Sequence, residues 1–171
     1  EGLSLAERWS FYLATVSETG WPYVQHRGGP RGFLQAIDDH TLAFADFAGN
    51  RQFISTGNAS GNDRVALILV DYAERRRLKL LGRLRQQPLV PGDAFAARLI
   101  DPTYRATPQR IFVIAVEAFD WNCPQHIPRL LDTDAVAAEL AARDARIATL
   151  EQALAGCTSP TNPDTDTGAH P

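Results

Sequence analysis

The sequence predicts a mainly β domain, an antiparallel barrel or sandwich, followed by one long helix. Two observations carry that reading. Between Gly20 and Trp121, short β-favouring runs alternate with turn-forming clusters, and from Thr133 to Ala155 the chain is built almost wholly of helix formers. With 171 residues, 44% hydrophobic and 22% charged, the chain is long enough to bury a core in one domain with appendages.

Residues 4–17, SLAERWSFYLATVS, read as an opening helix. Ser4 and Glu7 have the capping-box spacing, and Leu5, Trp9, Leu13 and Val16 fall along one helical face. The period changes at Gly20. WPYVQHR, GFLQAI, TLAFADF, RVALILVDY, RLKLLGRLR and RIFVIAVEAFDW follow as strands, separated by clusters such as GGPRG, DDH, AGN and ASGND. DDHT makes a hairpin turn between GFLQAI and TLAFADF. RVALILV is continuously apolar, which places it centrally, whereas RLKLLGRLR alternates and has one polar face. Short helices are expected within GNRQFISTGNAS and PGDAFAARLI. Few helices among closely spaced strands indicate antiparallel pairing.

The long helix spans 133–155 within a segment 132–156, with Thr133 as its cap. Leu140, Ile147 and Leu154 recur every seven residues, with Val136, Arg143 and Leu150 at the companion positions. Packing on its own domain and pairing in a two-stranded coiled coil both fit this stripe, so the helix is a possible dimer contact. The proline-, threonine- and aspartate-rich stretch 157–171 reads as a disordered tail, leaving 1–131 as the β domain.

Bulk charge argues against nucleic acid or anionic membrane as a partner, since the net charge is −3. No run reaches the roughly 18 apolar residues of a membrane span. Cys123 and Cys157 are the only cysteines, unlike a disulfide framework, which fits a reducing compartment such as the cytoplasm. The chain lacks methionine and opens on Glu1, so its true start is expected upstream.

No serine has the G-x-S-x-G setting of a nucleophile elbow, and Cys123 with His126 lacks the further ligands of a structural zinc. Lys79 is the sole lysine among 17 basic residues, an excess of arginine that composition bias explains, and the places where the arginines cluster are more informative. Arginine stays protonated and grips phosphate or carboxylate with two parallel donors. Arg31 follows Gly-Gly-Pro, Arg51 stands at the start of a predicted helix where free N–H groups favour an anion, and Arg75, Arg76 and Arg77 lead into a strand. Asn50 can cap the helix after Arg51. Arginines from several element ends converging in a barrel would hold a phosphate.

The segments PYVQHRGGPRGFLQ, TLAFADFAGNRQ, STGN, NDRVALILVDY, RRRLKLLGR and VEAFDWNCPQHI, in that order, resemble the pyridoxamine 5'-phosphate oxidase-like, FMN-binding split-barrel family, in particular its flavin-nucleotide-binding branch. The resemblance implies an antiparallel split β-barrel with short flanking helices and a C-terminal helix. It implies a homodimer with FMN as cofactor, bound at the subunit interface. Arg31 and the Asn50-Arg51-Gln52 turn match the family's phosphate-holding arginine and turn, with Gln52 in place of the turn's lysine. Ala45 and Asp46 take the place of a Tyr-Thr pair that lies along the flavin, and Asp46 sets a negative charge near the phosphate. Arg77, two residues before Lys79, takes the place of a polar residue at the isoalloxazine edge, while Trp121 and Gln125 either stand where a partner subunit completes the site or belong to a strand end packed by Trp121 and turned by Pro124. His126 is the histidine proposed as a proton donor, since histidine titrates near neutral pH.

The implied activity is electron or hydride transfer through FMN to a substrate the sequence does not name, with NAD(P)H a possible redox partner. True pyridoxamine-phosphate oxidase activity is not expected, because that enzyme's carboxy-terminal substrate-binding portion is not recognisable. A non-catalytic flavin carrier and an FMN-less dimeric interaction module are the alternatives, and the fold also permits haem or deazaflavin.

Overall fold

The computed structural model describes residues 4–49, 52–121 and 125–157. It divides into two units, Glu1–Arg129 and Leu130–Pro171. The first is one seven-stranded sheet of β1 (Ser10–Val16), β2 (Pro22–Gly28), β3 (Gln35–Asp38), β4 (Thr41–Phe47), β5 (Arg64–Asp71), β6 (Arg76–Pro88) and β7 (Pro108–Trp121). Every pairing is antiparallel, in the order β2-β1-β5-β6-β7-β4-β3. The sheet curls without closing, which is the split-barrel architecture, and β2 and β3 are its free edges.

All six expected strands form, and DDHT makes the β3–β4 hairpin, where the Asp38 carboxylate accepts from the His40 N–H at 2.9 Å. That N–H holds the Asp38 carboxyl below its ordinary range. The predicted opening helix is corrected. Only a 3₁₀ turn forms over Leu5–Glu7, Ser4 makes no side-chain cap, and residues 10–16 are the strand β1. Phe11, Leu13 and Thr15 alternate into the core while β1 pairs with both β2 and β5. Two rows of ladder bonds and a buried period-2 face outweigh a helical spacing built from four residues.

The main core joins Phe11, Leu13, Phe44, Leu67, Leu69, Phe112 and Ile114 inside the curl. The rings of Phe11, Phe33, Phe44 and Phe112 meet at centroid distances of 5.1–6.0 Å, mostly edge to face. A second cluster sets Ala43, Ala45 and Ile111 against Ala96 and Leu99 of α2 (Ala94–Leu99), whose start is capped by Asp93 at 2.9 Å. Residues 42–46 of β4 are therefore buried on both faces, with Phe44 and Asp46 sharing the inner parity.

Side-chain bonds fix helix α1 (Ile54–Gly61) to the sheet. Ser55 donates to Gln25 at 2.9 Å, Asn58 donates to Thr15 at 3.0 Å, and Gln86 donates to the Thr56 carbonyl at 2.9 Å. The second unit carries α3 (Thr133–Cys157), at the position predicted.

Candidate functional site

Inner-facing residues of β2 alternate as Tyr23, Gln25 and Arg27. This edge strand has no ladder partner on its far side, so Arg27 reaches across the open seam of the barrel to β4. Its Nη1 donates to Asp46 Oδ1 at 2.5 Å. Arg110 on β7 lies directly opposite Asp46 in the β4–β7 register, and its Nε stands 3.3 Å from Asp46 Oδ2. One carboxylate thus bridges two guanidiniums, and all three side chains are largely shielded from solvent. Arg27 lies 5.4 Å over the ring of Phe112, and Arg110 lies 5.1 Å over Phe53 while donating to Thr56 Oγ1 at 3.3 Å.

Burial pushes the Asp46 carboxyl above its ordinary range, opposed by the charges of Arg27 and Arg110. Burial also lowers Arg27, yet an arginine starts so far above neutrality that it keeps its proton. Two guanidiniums and one carboxylate give the cluster a net positive charge. Among the described residues no hydrogen-bond partner meets the buried Nε atoms of Arg27 and Arg110, the latter because its approach to Asp46 is misaligned. Buried donors of this kind are expensive unless an acceptor meets them.

Two hollows flank the cluster and share Gln25, Arg27, Asp46, Phe47 and Gly49. A small polar one, about 40 Å³, adds Gln52, Phe53, Thr56 and Gln109 beside the start of α1. A larger one, about 230 Å³, adds Phe33, Phe44, His26 and Tyr104. Tyr104 packs edge-on to Phe47 at 5.0 Å, forming an apolar wall. Phe53 takes left-handed backbone, φ 46°, at the turn into α1, whose first N–H groups have no carbonyl within the helix to meet. A net positive cluster and a helix start beside one cleft suit a phosphate with a planar group attached.

The residues singled out from sequence fall into separate places. Asp46 and Gln52 line the seam cleft; Ala45 also borders it but packs in the cluster under α2. Arg31 lies 5.6 Å over Trp9 and borders a different surface hollow with Leu5, Ala6 and Leu34. The GGPRG backbone meets the amino-terminal segment: Gly29 and Gly32 donate to the carbonyls of Trp9 and Arg8 at 3.0 and 2.8 Å. Arg77, Lys79 and Trp121 gather at one end of the β6–β7 ladder, where Lys79 pairs with Asp120 at 2.6 Å. Gln125 and His126 form an exposed turn beyond it, with His126 at φ 62°. Asn50, Arg51 and Cys123 lie outside the described residues. No cluster of three metal-ligating side chains occurs among the described residues, and no described helix is long and apolar enough to cross a membrane.

A family model described as pyridoxamine 5'-phosphate oxidase matches residues 4–119. The chain belongs to that family. No curated protein is significantly similar in sequence. Among solved structures, an FMN-binding protein from Syntrophomonas wolfei subsp. wolfei superposes with a TM-score of 0.53 at 17% identity, over 74% of this chain and 82% of its own. HupZ of Group A Streptococcus gives 0.51 at 18% identity, over 74% and 94% of the two chains. General Stress Protein 26 from Bacillus anthracis gives 0.51 at 11%, over 68% and 86%. At these identities the likeness is one of fold.

Sequence reasoning missed Arg27, Arg110, Phe53 and Tyr104. Arg27 carried a usable signal, since it shares the inward parity of Tyr23 and Gln25. Arg110 carried none, because its meeting with Asp46 depends on the β4–β7 register. The cluster has a testable consequence. Asp46→Asn leaves two guanidiniums facing each other and is expected to cost about 3 kcal/mol of stability. Inorganic phosphate should restore more thermal stability to the variant than to the parent, because a bound anion replaces the lost carboxylate. The absence of a phosphate-induced shift in both proteins would show that the cleft does not receive anions.

Proposed function

We propose that this chain is an FMN-binding oxidoreductase that works as a homodimer, with the FMN phosphate received in the seam beside Arg27 and Arg110. The observation that carries this reading is the pair of guanidiniums bridged by the one buried carboxylate of Asp46, beside the polar hollow at the start of α1. Asp46 balances part of the positive charge, so the cluster stays folded without an anion and still attracts one. In this reading Arg27 takes the phosphate-holding role that the resemblance gave to Arg31, and the Asn50-Arg51-Gln52 turn adds donors. Phe47 and Tyr104 offer an apolar wall for the attached ring system.

A hollow of about 230 Å³ lies below the roughly 300–1,000 Å³ usual for cofactor sites, which fits a site that a second protomer completes. The rest falls to a second copy of the chain, for which the outer face of the sheet offers an apolar surface. Val24, Ala14, Ala66, Leu81 and Ala118 run in one register row across β2, β1, β5, β6 and β7. Val24 and Leu81 are 61% and 55% exposed there, with Tyr12 and Ile68 in the next row. A flat apolar row of this length suits a second copy of the chain. Arg77, Lys79, Trp121, Gln125 and His126 are the candidates for that copy's contribution, Arg77 by steadying negative charge at the ring edge and His126 as proton donor.

Bound FMN would supply the redox chemistry, and the protein's part is to bind, orient and shield it. The expected result is a flavin absorbance change on adding FMN, followed by reduction with NADH or NADPH faster than that of free FMN in stopped flow. Binding with reduction no faster than free FMN would leave a flavin carrier. No spectral change at all would remove the reading.

A further inference from the structure

We infer that α3 pairs with α3 of a second copy of this chain as a parallel, in-register coiled coil. Every residue from Thr133 to Gly156 is exposed, including Val136, Leu140, Ile147, Leu150 and Leu154. Those side chains do not scatter round the helix. Leu140, Ile147 and Leu154 occupy one heptad core position, and Val136, Arg143 and Leu150 occupy the other. The positions beside them are alanine or charged, so the apolar stripe is as narrow as a two-stranded coil requires and narrower than the face of a helix packed on a domain.

Charge selects the occupant and its direction. In a parallel pair, Arg146 of one helix faces Glu151 of the other, and this attraction occurs twice by symmetry. The opposing juxtaposition, Glu139 against Asp144 of the second copy, is weakened because Glu139 is held by Arg143 of its own helix at 3.0 Å. An antiparallel pair in full overlap would set Asp144 against Asp144 and Arg146 against Arg146, with no attractive flanking pair. Arg143 interrupts the stripe once and meets Arg143 of the second copy across the parallel seam; a single polar core residue lowers stability while fixing register. Its ion pair with Glu139 lies along the helix surface, which lets the long side chain leave the core with its charge compensated.

The test uses the full chain with both native cysteines replaced by serine and one spin label per chain on the outer helix face, at Ala138→Cys or at Gln152→Cys. Pulsed electron resonance should give a narrow, short inter-label distance at both positions. Ile147→Asp with Leu150→Asp should abolish both distances, whatever oligomeric state the barrel retains. Long distances at both positions would mean antiparallel pairing. Broad distributions or no distance would mean that the helix does not pair. Each of these results overturns the proposal, and none depends on whether FMN binds.

Discussion

Arg27→Ala is expected to weaken FMN binding by at least tenfold and to lower the stability of the apoprotein by about 3 kcal/mol. The two effects share one cause. Arg27 is the side chain that crosses from the free edge β2 to β4, and Asp46 is almost fully buried at the other end of that ion pair. Without Arg27, the carboxylate keeps only Arg110, at 3.3 Å and misaligned, and the seam loses a direct link between β2 and β4. A buried charge stripped of a partner carries the larger penalty. The affinity loss follows from removing one charge-assisted phosphate contact, worth about 1.5–3 kcal/mol. Chemical denaturation and an FMN titration on the same preparation separate the two. Arg31→Ala is the control, because Arg31 stacks on Trp9 away from the cleft and should leave FMN affinity unchanged.

The second large effect lies in the scaffold. Gly82 sits where the β6–β7 register shifts between Leu81 and Gly82, and it is buried. A Cβ there would run into the backbone carbonyl oxygen of Ala115 and stand 2.9 Å from Ile114 Cγ2. Backbone of a neighbouring strand cannot swing aside as a flexible side chain can. Gly82→Ala is therefore expected to cost about 3 kcal/mol, as overpacking at a rigid contact does. That corresponds to a fall of about 10 °C in the melting temperature, read by calorimetry or circular dichroism. A variant melting within about 2 °C of the parent would mean that the two strands separate there without penalty.

These two residues also mark how far the sequence can be read. Gly82 stands in LKLLGRLR, a strand evident from its apolar alternation, and the other five predicted strands were as plain because β-branched and aromatic runs ended at turn residues. β1 was hidden. Leu5, Trp9, Leu13 and Val16 satisfy a helical spacing, while Phe11, Leu13 and Thr15 satisfy a strand spacing, and only the presence of β2 and β5 on either side decides between them. The cleft was half legible. The residue types lead to the expectation of an anion site walled by arginine, and Asp46 and Gln52, two of the residues expected there, line one hollow. The geometry of the site was not legible, because Arg27, Asp46 and Arg110 meet through the curl of the sheet and the β4–β7 register. Arg31 follows a glycine-rich loop whose backbone closes on the carbonyls of Arg8 and Trp9, a contact no residue type announces.

The central claim is that the seam receives a phosphate carried on a flavin, and one comparison tests it directly. Fluorescence titration with FMN and with riboflavin, which differs by lacking the phosphate, reads the contribution of the anion alone. Binding of FMN at least tenfold tighter than riboflavin, with the difference collapsing in Arg27→Ala, is the predicted result. Equal affinity for the two flavins in the parent protein would contradict the account.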